Sequence, residues 1–236
     1  MHMATPNLQI MLHYYSGAEH LFKTITMVAD DERERIFDRI VAAKIWYWGR
    51  YAPENREGYM RTRLFVEARM YDAFSRQYWT PKQPHPVFFY IFPDLSLGAI
   101  EERLHQRQQY DELSTKVLLI DIRDLVDTTH ISFTLCDSHR SYRAALIQRG
   151  LSAGESTTAH ADHGTVFHIN ELAEVYGRHA AEDGLYFEVQ VWDPEILEHW
   201  IKGHSGLTAA DVAEQNGPTE IARLLRGEQA RMETCE

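Results

Sequence analysis

Apolar and polar positions alternate along residues 185–192, the clearest strand signal in the chain. Leu185, Phe187, Val189 and Val191 fall on one side, and Tyr186, Glu188, Gln190 and Trp192 on the other. Gly184 precedes the run, and Asp193 with Pro194 closes it. A carboxylate in mid-strand has two readings. It decorates the solvent side of an edge strand, or it projects from a sheet into a cleft to do chemistry. Further strands are predicted at residues 7–15, 87–92, 116–122, 130–135 and 165–169. The run 87–92 is continuously apolar, as a buried strand would be.

Helical periodicity appears at 18–25, with Ser16 as its cap, and at 30–48, where Ile36, Ile40, Val41 and Ile45 form the buried stripe. The longest helix is predicted over 57–78, with Met60, Leu64, Ala68, Tyr71 and Phe74 or Ser75 facing inward. Arg63 and Glu67 lie off that stripe four residues apart, the spacing of a surface ion pair. Shorter helices follow at 97–110, 137–149 (capped by Asp137 and Ser138), 171–179 and 194–202, the last with Pro194 in its first turn. Residues 150–164 read as a loop. Helices thus concentrate in the N-terminal half and strands in the second, without strict βαβ alternation. This favours an α+β fold with a mixed or antiparallel central sheet.

Beyond residue 202 the pattern changes. Gly206, Thr208, Ala213, Gly217, Ile221, Leu224 and Leu225 occupy positions that resemble one ankyrin repeat, a helical hairpin around a glycine turn. The chain therefore divides into an α+β domain over 1–202 and an ankyrin-like hairpin and tail over 203–236. One repeat cannot bury its own apolar face, so it docks on the preceding domain or belongs to a longer array.

Composition narrows the function classes. Hydrophobic residues make up 44% of the chain and aromatics 11%, which excludes disorder as a whole. The formal charge of −11 argues against generic binding of a phosphate backbone, although arginines gather at 50–76 and 140–149. Cys136 and Cys235 make neither a disulfide framework nor a zinc ribbon. With no secretory signal in the opening residues and no long apolar run, the expected location is cytoplasmic, or a cytoplasm reached without a cleavable signal. No membrane partner is expected. His160, His163 and His168, with Asp162, lack the helical spacing of a zinc-enzyme motif, so no metal site is expected there. No phosphate-cradling glycine loop or serine nucleophile elbow is present.

What remains is an arrangement spread along the chain. His13, Tyr14 and Tyr15 end the first strand, and a small-residue turn with Leu21, Phe22 and Ile25 follows. Tyr90 lies in the aromatic run 87–92, and Glu188 in the alternating strand. This order of residues and elements, over about residues 7–200, resembles the ADP-ribosyltransferase fold of diphtheria-toxin, poly-ADP-ribose-polymerase and DarT-type enzymes. The resemblance implies NAD as substrate and transfer of ADP-ribose to a macromolecule. It implies Glu188 as the catalytic carboxylate that stabilises an oxocarbenium-like transition state. It also implies His13 as an anchor for a ribose hydroxyl, Tyr14 as a backbone partner of the nicotinamide amide, and Tyr90 as a stacking ring.

Two positions depart from the pattern. Tyr14 stands where Gly or Thr usually follows the His, and Tyr186 stands where Gln or Glu often precedes the catalytic Glu by two residues. The second departure implies an acceptor preference unlike that of the arginine-modifying branch. The acidic balance favours a protein acceptor over the nucleic acid that DarT-type enzymes modify. A protein partner at the ankyrin-like tail is a further expectation. The alternatives are an NAD glycohydrolase, a non-catalytic interaction module with an ankyrin-type cap, and a metal-dependent hydrolase using the loop histidines. Whether the setting is that of a toxin, a defence factor or an effector stays open.

Overall fold

The computed structural model describes residues 6, 8–15, 21–42, 44, 48–93, 116–152 and 161–205. The helix expected at 97–110, the Ser16 cap, His160 and the ankyrin-like segment 206–236 lie outside the described residues. Six strands form one sheet: β1 (Ile10–Tyr15), β2 (Val87–Ile91), β3 (Lys116–Asp121), β4 (Ile131–Leu135), β5 (Phe167–His168) and β6 (Phe187–Val191). Their order across the sheet is β3-β1-β2-β6-β4-β5, and every neighbouring pair runs antiparallel. With five α-helices among the described residues, the α+β expectation holds, and the sheet is antiparallel rather than mixed. Among these residues no helix is long and apolar enough to cross a membrane.

Register divides the side chains into two faces. Phe89 pairs with Val189, and Val189 in turn with Phe133, while Ile91, Phe187 and Leu135 form the next apolar row. These rows belong to the main core, which α4 (Leu172–His179) and α5 (Pro194–Ser205) cover with Leu172, Val175, Ile196 and Leu197. The helix α5 continues to Ser205, so the expected boundary at residue 202 falls inside a helix. The opposite face is covered by α2 (Arg56–Gln77), where Val66, Met70 and Phe74 pack with Phe88 and Trp192. Burial of this apolar area is worth about 25 cal/mol per Å2, which is why both faces need a helical layer.

Several expected details are corrected. The strand carrying Glu188 is central, between β2 and β4, and all five of its residues are buried, so Glu188 is no edge-strand decoration. The inward stripe of α2 is Val66, Glu67, Met70 and Phe74, whereas Leu64 is 42% exposed and Ala68 faces solvent. Arg63 and Glu67 form a buried pair, not a surface one, because Glu67 is fully enclosed. Thr26 Oγ1 donates to Glu67 Oε2 at 2.8 Å, His85 Nδ1 bonds that same oxygen at 2.8 Å, and Arg63 Nε donates to Oε1 at 2.8 Å. That many partners allow a carboxylate to be buried.

The helix α1 (Asp30–Ala42) ends earlier than expected and buries Phe37, with Ile36, Ile40 and Val41 only half-buried. Two of its arginines pair with acidic residues, Arg33 with Asp30 and Arg35 with Asp31. The expected helix at 18–25 does not extend through its described part: Leu21 and Phe22 form a turn sunk into the main core, with Phe22 at φ 60°.

Truncating the sheet centre tests this layering. Phe89→Ala removes a fully buried ring from β2 and is expected to cost about 3–5 kcal/mol of unfolding free energy in urea titration. A loss under about 1 kcal/mol would mean that β2 is not central to the core.

Candidate active site

Glu188 sits at the middle of the sheet, paired with Tyr90 of β2 on one side and Thr134 of β4 on the other. The residue is 1% exposed. Along the same face, hydrogen bonds link the neighbouring polar side chains. Trp192 Nε1 donates to Ser132 Oγ at 2.8 Å, Ser132 Oγ to Gln190 Oε1 at 2.9 Å, and Gln190 Nε2 to Thr134 Oγ1 at 3.1 Å. Gln190 Nε2 also reaches the Glu188 carbonyl at 2.8 Å. This satisfied chain explains how a β4–β6 face can be polar under α2 without leaving orphaned groups.

The partner of the carboxylate comes from the turn after β4. Cys136 takes φ 57°, a left-handed conformation unusual for a side chain, and a π-helical turn follows at Ser138–Tyr142. Asp137 caps this turn by accepting from His139 N at 2.8 Å. The reversal brings Ser138 N to Glu188 Oε1 at 3.3 Å and its hydroxyl into a short hydrogen bond with the same oxygen. The helix α3 (Arg143–Gln148) continues from there. The left-handed residue costs on the order of 1–2 kcal/mol, and strained backbone of this kind clusters at functional sites.

Rings and one guanidinium complete the surroundings. The Tyr90 ring lies 5.8 Å from Tyr14 and 6.3 Å from Tyr186, and Phe92 stacks against Tyr186 at 5.6 Å. On the α2 side, the Arg63 guanidinium lies 4.0 Å over the Phe88 ring. Burial, then the nearby Asp137, raises the Glu188 pKa from an ordinary 4.5 to about 7, while Arg63 and the Ser138 bonds oppose the rise. Burial and the Glu188 charge keep the Tyr90 phenol protonated far above its usual range. Around Arg63, burial works against its charge, but Tyr59, Glu67 and Glu188 outweigh it and hold the pKa above the ordinary value.

The predicted residues do not all meet. Tyr14, Tyr90 and Glu188 share one face, since Leu12 pairs with Tyr90 and Tyr14 lies two residues along the strand. His13 alternates to the other face, where its ring lies 4.9 Å from Phe89 and 5.9 Å from Phe22. Its Nδ1–H donates to Phe88 O at 2.8 Å, and its Nε2 accepts from Phe22 N at 3.3 Å. Those two bonds fix a neutral tautomer, and burial lowers the His13 pKa from 6.5 to about 4. The expected role of His13 as a ribose anchor beside Glu188 is therefore not supported by its placement.

The loop histidines diverge as well. His168 is buried, with Nε2 donating to Thr128 O at 3.2 Å and Nδ1 accepting from Asn170 N at 3.3 Å. Asp162 instead binds His179 Nε2 at 2.8 Å. Among the described residues no group of three or more His, Cys, Asp or Glu is arranged to hold a metal ion.

Sequence reasoning missed Ser138 and His139 as site residues, because Asp137 and Ser138 read simply as a helix cap. The available signal was their position directly after a strand that pairs with the one carrying Glu188. Comparison with protein-family models, curated proteins and solved structures finds no match for this chain.

The raised Glu188 pKa has a stability consequence. The folded state holds this proton more tightly than the unfolded chain, so the contribution is full below about pH 4.5 and lost as pH rises through about 7. His13 acts oppositely: its contribution is present above pH 6.5 and lost as pH falls through about 4. The difference between wild type and Glu188→Gln isolates the carboxylate. In urea titrations the variant should gain stability relative to wild type from about pH 5 to about pH 8. Parallel pH profiles would contradict the raised pKa.

Proposed function

We propose that this chain transfers ADP-ribose from NAD to a macromolecular acceptor, with Glu188 as the carboxylate that meets the developing positive charge. The observation that carries the reading is the direct pairing of Tyr90 with Glu188 in the two central strands, with Tyr14 and Tyr186 against the Tyr90 ring. In this reading the nicotinamide–ribose C–N bond breaks and the electron pair leaves with nicotinamide. The ribose carbon gains oxocarbenium character, and an acceptor nucleophile then bonds to it and gives up a proton. A nearby ionised carboxylate stabilises that cation. The pyridinium ring of NAD is itself cationic, so tyrosine faces suit it.

Bringing a cation next to Glu188 favours its ionised form, and a pKa of about 7 leaves both forms accessible near neutrality. His13 drops out of the cofactor-binding set on this account, while Tyr14 and Tyr90 remain in it. Because Ser138 closes over the carboxylate, the turn at 136–142 has to open for NAD to reach it. A protein acceptor is preferred over nucleic acid on the overall charge of −11, and the ankyrin-like segment is the element suited to recruit it.

The closure of Glu188 favours a second reading. A glutamate 1% exposed and bonded by Ser138 also suits a non-catalytic interaction module in which the polar face only specifies packing. The same experiment separates the two. Glu188→Gln should lower the rate of nicotinamide release and of acceptor labelling by about 10²–10³-fold while still unfolding in one cooperative transition. Release without labelling would identify the glycohydrolase variant. Wild-type rates in Glu188→Gln would end the transfer assignment, and no heat of binding at millimolar NAD would favour the module.

A further inference from the structure

The turn that closes over Glu188 lies shallow on the surface. Of residues 136–141 only Ser138 is buried, at 0% exposure, while Cys136, Asp137, His139 and Ser141 are half-buried and Arg140 is exposed. Both ends of the turn are anchored. Cys136 N donates to Tyr186 O at 2.9 Å, and Tyr142 belongs to the core beneath α2 with Val66 and Met70. Between these anchors the turn sends one side chain inward. The Ser138 hydroxyl, together with the Ser138 amide, occupies Glu188 Oε1.

Closure carries identifiable costs. Cys136 takes the left-handed conformation that L-residues avoid. His139 Nε2 is buried without a hydrogen-bond partner among the described residues, and it regains water if the turn lifts. The Asp137 carboxylate, on the same turn, raises the Glu188 pKa by its charge, so the two repel when both are ionised. Bonds within the turn, such as Ser141 N to Asp137 O at 2.7 Å and His139 N to Asp137 Oδ1 at 2.8 Å, hold its shape and not its seat. The seat is held by the two Ser138 bonds and by the His139 ring, 5.2 Å from that of Tyr59. A closed state balanced in this way is poised to open.

We propose that the turn 136–142 is an autoinhibitory latch, in which Ser138 fills the place on Glu188 that a substrate hydroxyl takes once the latch is displaced. This inference rests on the transfer reading, in which Glu188 faces the ribose of NAD, and it assigns that site its regulation. One hydroxyl donating to a carboxylate is exchanged for another of the same chemistry, so the bond lost on opening is regained on binding. The closed latch lowers the fraction of protein competent to bind. It therefore raises the apparent KM and leaves the chemical step unchanged.

The test pairs kinetics with amide hydrogen exchange on the full chain. Ser138→Ala removes the hydroxyl bond and should lower the KM for NAD about tenfold, with kcat held within about twofold. In the wild type, the probe for exchange is an NAD analogue carrying a methylene in place of the ribose ring oxygen, which keeps the hydroxyls but cannot form the oxocarbenium ion. Its binding should speed exchange of the Ser138 amide about tenfold, whereas a ligand that merely packs against a structural turn slows exchange. This second measurement decides the matter by itself if Ser138→Ala does not fold. An unchanged or raised KM in Ser138→Ala, or Ser138 exchange that is unchanged or slower with the analogue bound, would overturn the latch. NAD cleavage that needs Glu188 while the KM ignores Ser138 would remove the latch alone. Full NAD cleavage by Glu188→Gln, or no binding of the analogue at millimolar concentration, would remove the transfer reading and with it the role of Ser138 as a stand-in for substrate.

Discussion

The structure depends on keeping one carboxylate in a dry place. Glu188 stands in the central strand, between Tyr90 and Thr134, where Arg63 and Ser138 favour its ionised form while burial and Asp137 oppose it. An ionised carboxylate stripped of water costs several kcal/mol unless it is paired and hydrogen-bonded. The left-handed Cys136 and the π-helical turn after it cost on the order of 1–2 kcal/mol, and they deliver the Ser138 amide and hydroxyl to that oxygen. The larger penalty decides the local backbone, so the strain is tolerated. Arg63 and a raised pKa absorb the remainder.

A second buried carboxylate organises the helix above the sheet. Glu67 ties α2 to Thr26 before it and His85 after it, and it holds the Nε of Arg63. Breaking such a network by removing one partner typically costs about 3–5 kcal/mol, comparable to losing a core aromatic. The register of α2 over the sheet is therefore set by charge as well as by Val66, Met70 and Phe74. This same register presents Arg63 to both Phe88 and the Glu188 side of the sheet.

Much of the fold was legible from periodicity, because β2, β4 and β6 have sharp apolar boundaries and α2 is long. The two faces of the strand 185–192 follow its alternation, and Glu188 falls on the side opposite Phe187 and Val189. The phase of β1 was not legible: Met11 and Leu12 are both apolar, so nothing local says which way His13 points. Only the pairing of Leu12 with Tyr90 settles it, and that is a contact across 78 positions of chain that no local pattern encodes. The pair Arg63 and Glu67 misled for a related reason, since four-residue spacing looks the same on a solvated face and on a buried one. For His139 the chain position after β4 was the one local signal, because Tyr59 and Arg63 are brought to it by tertiary packing.

Glu188 is a carboxyl group whose proton affinity is set first by burial at the sheet centre. Its side-chain 13C resonance, followed by NMR across the pH range and assigned with Glu188→Gln, measures that property directly. A midpoint near 7 is expected, with the Ser138 amide resonance titrating in step. A midpoint in the ordinary range near 4.5, with Ser138 unmoved, would contradict it.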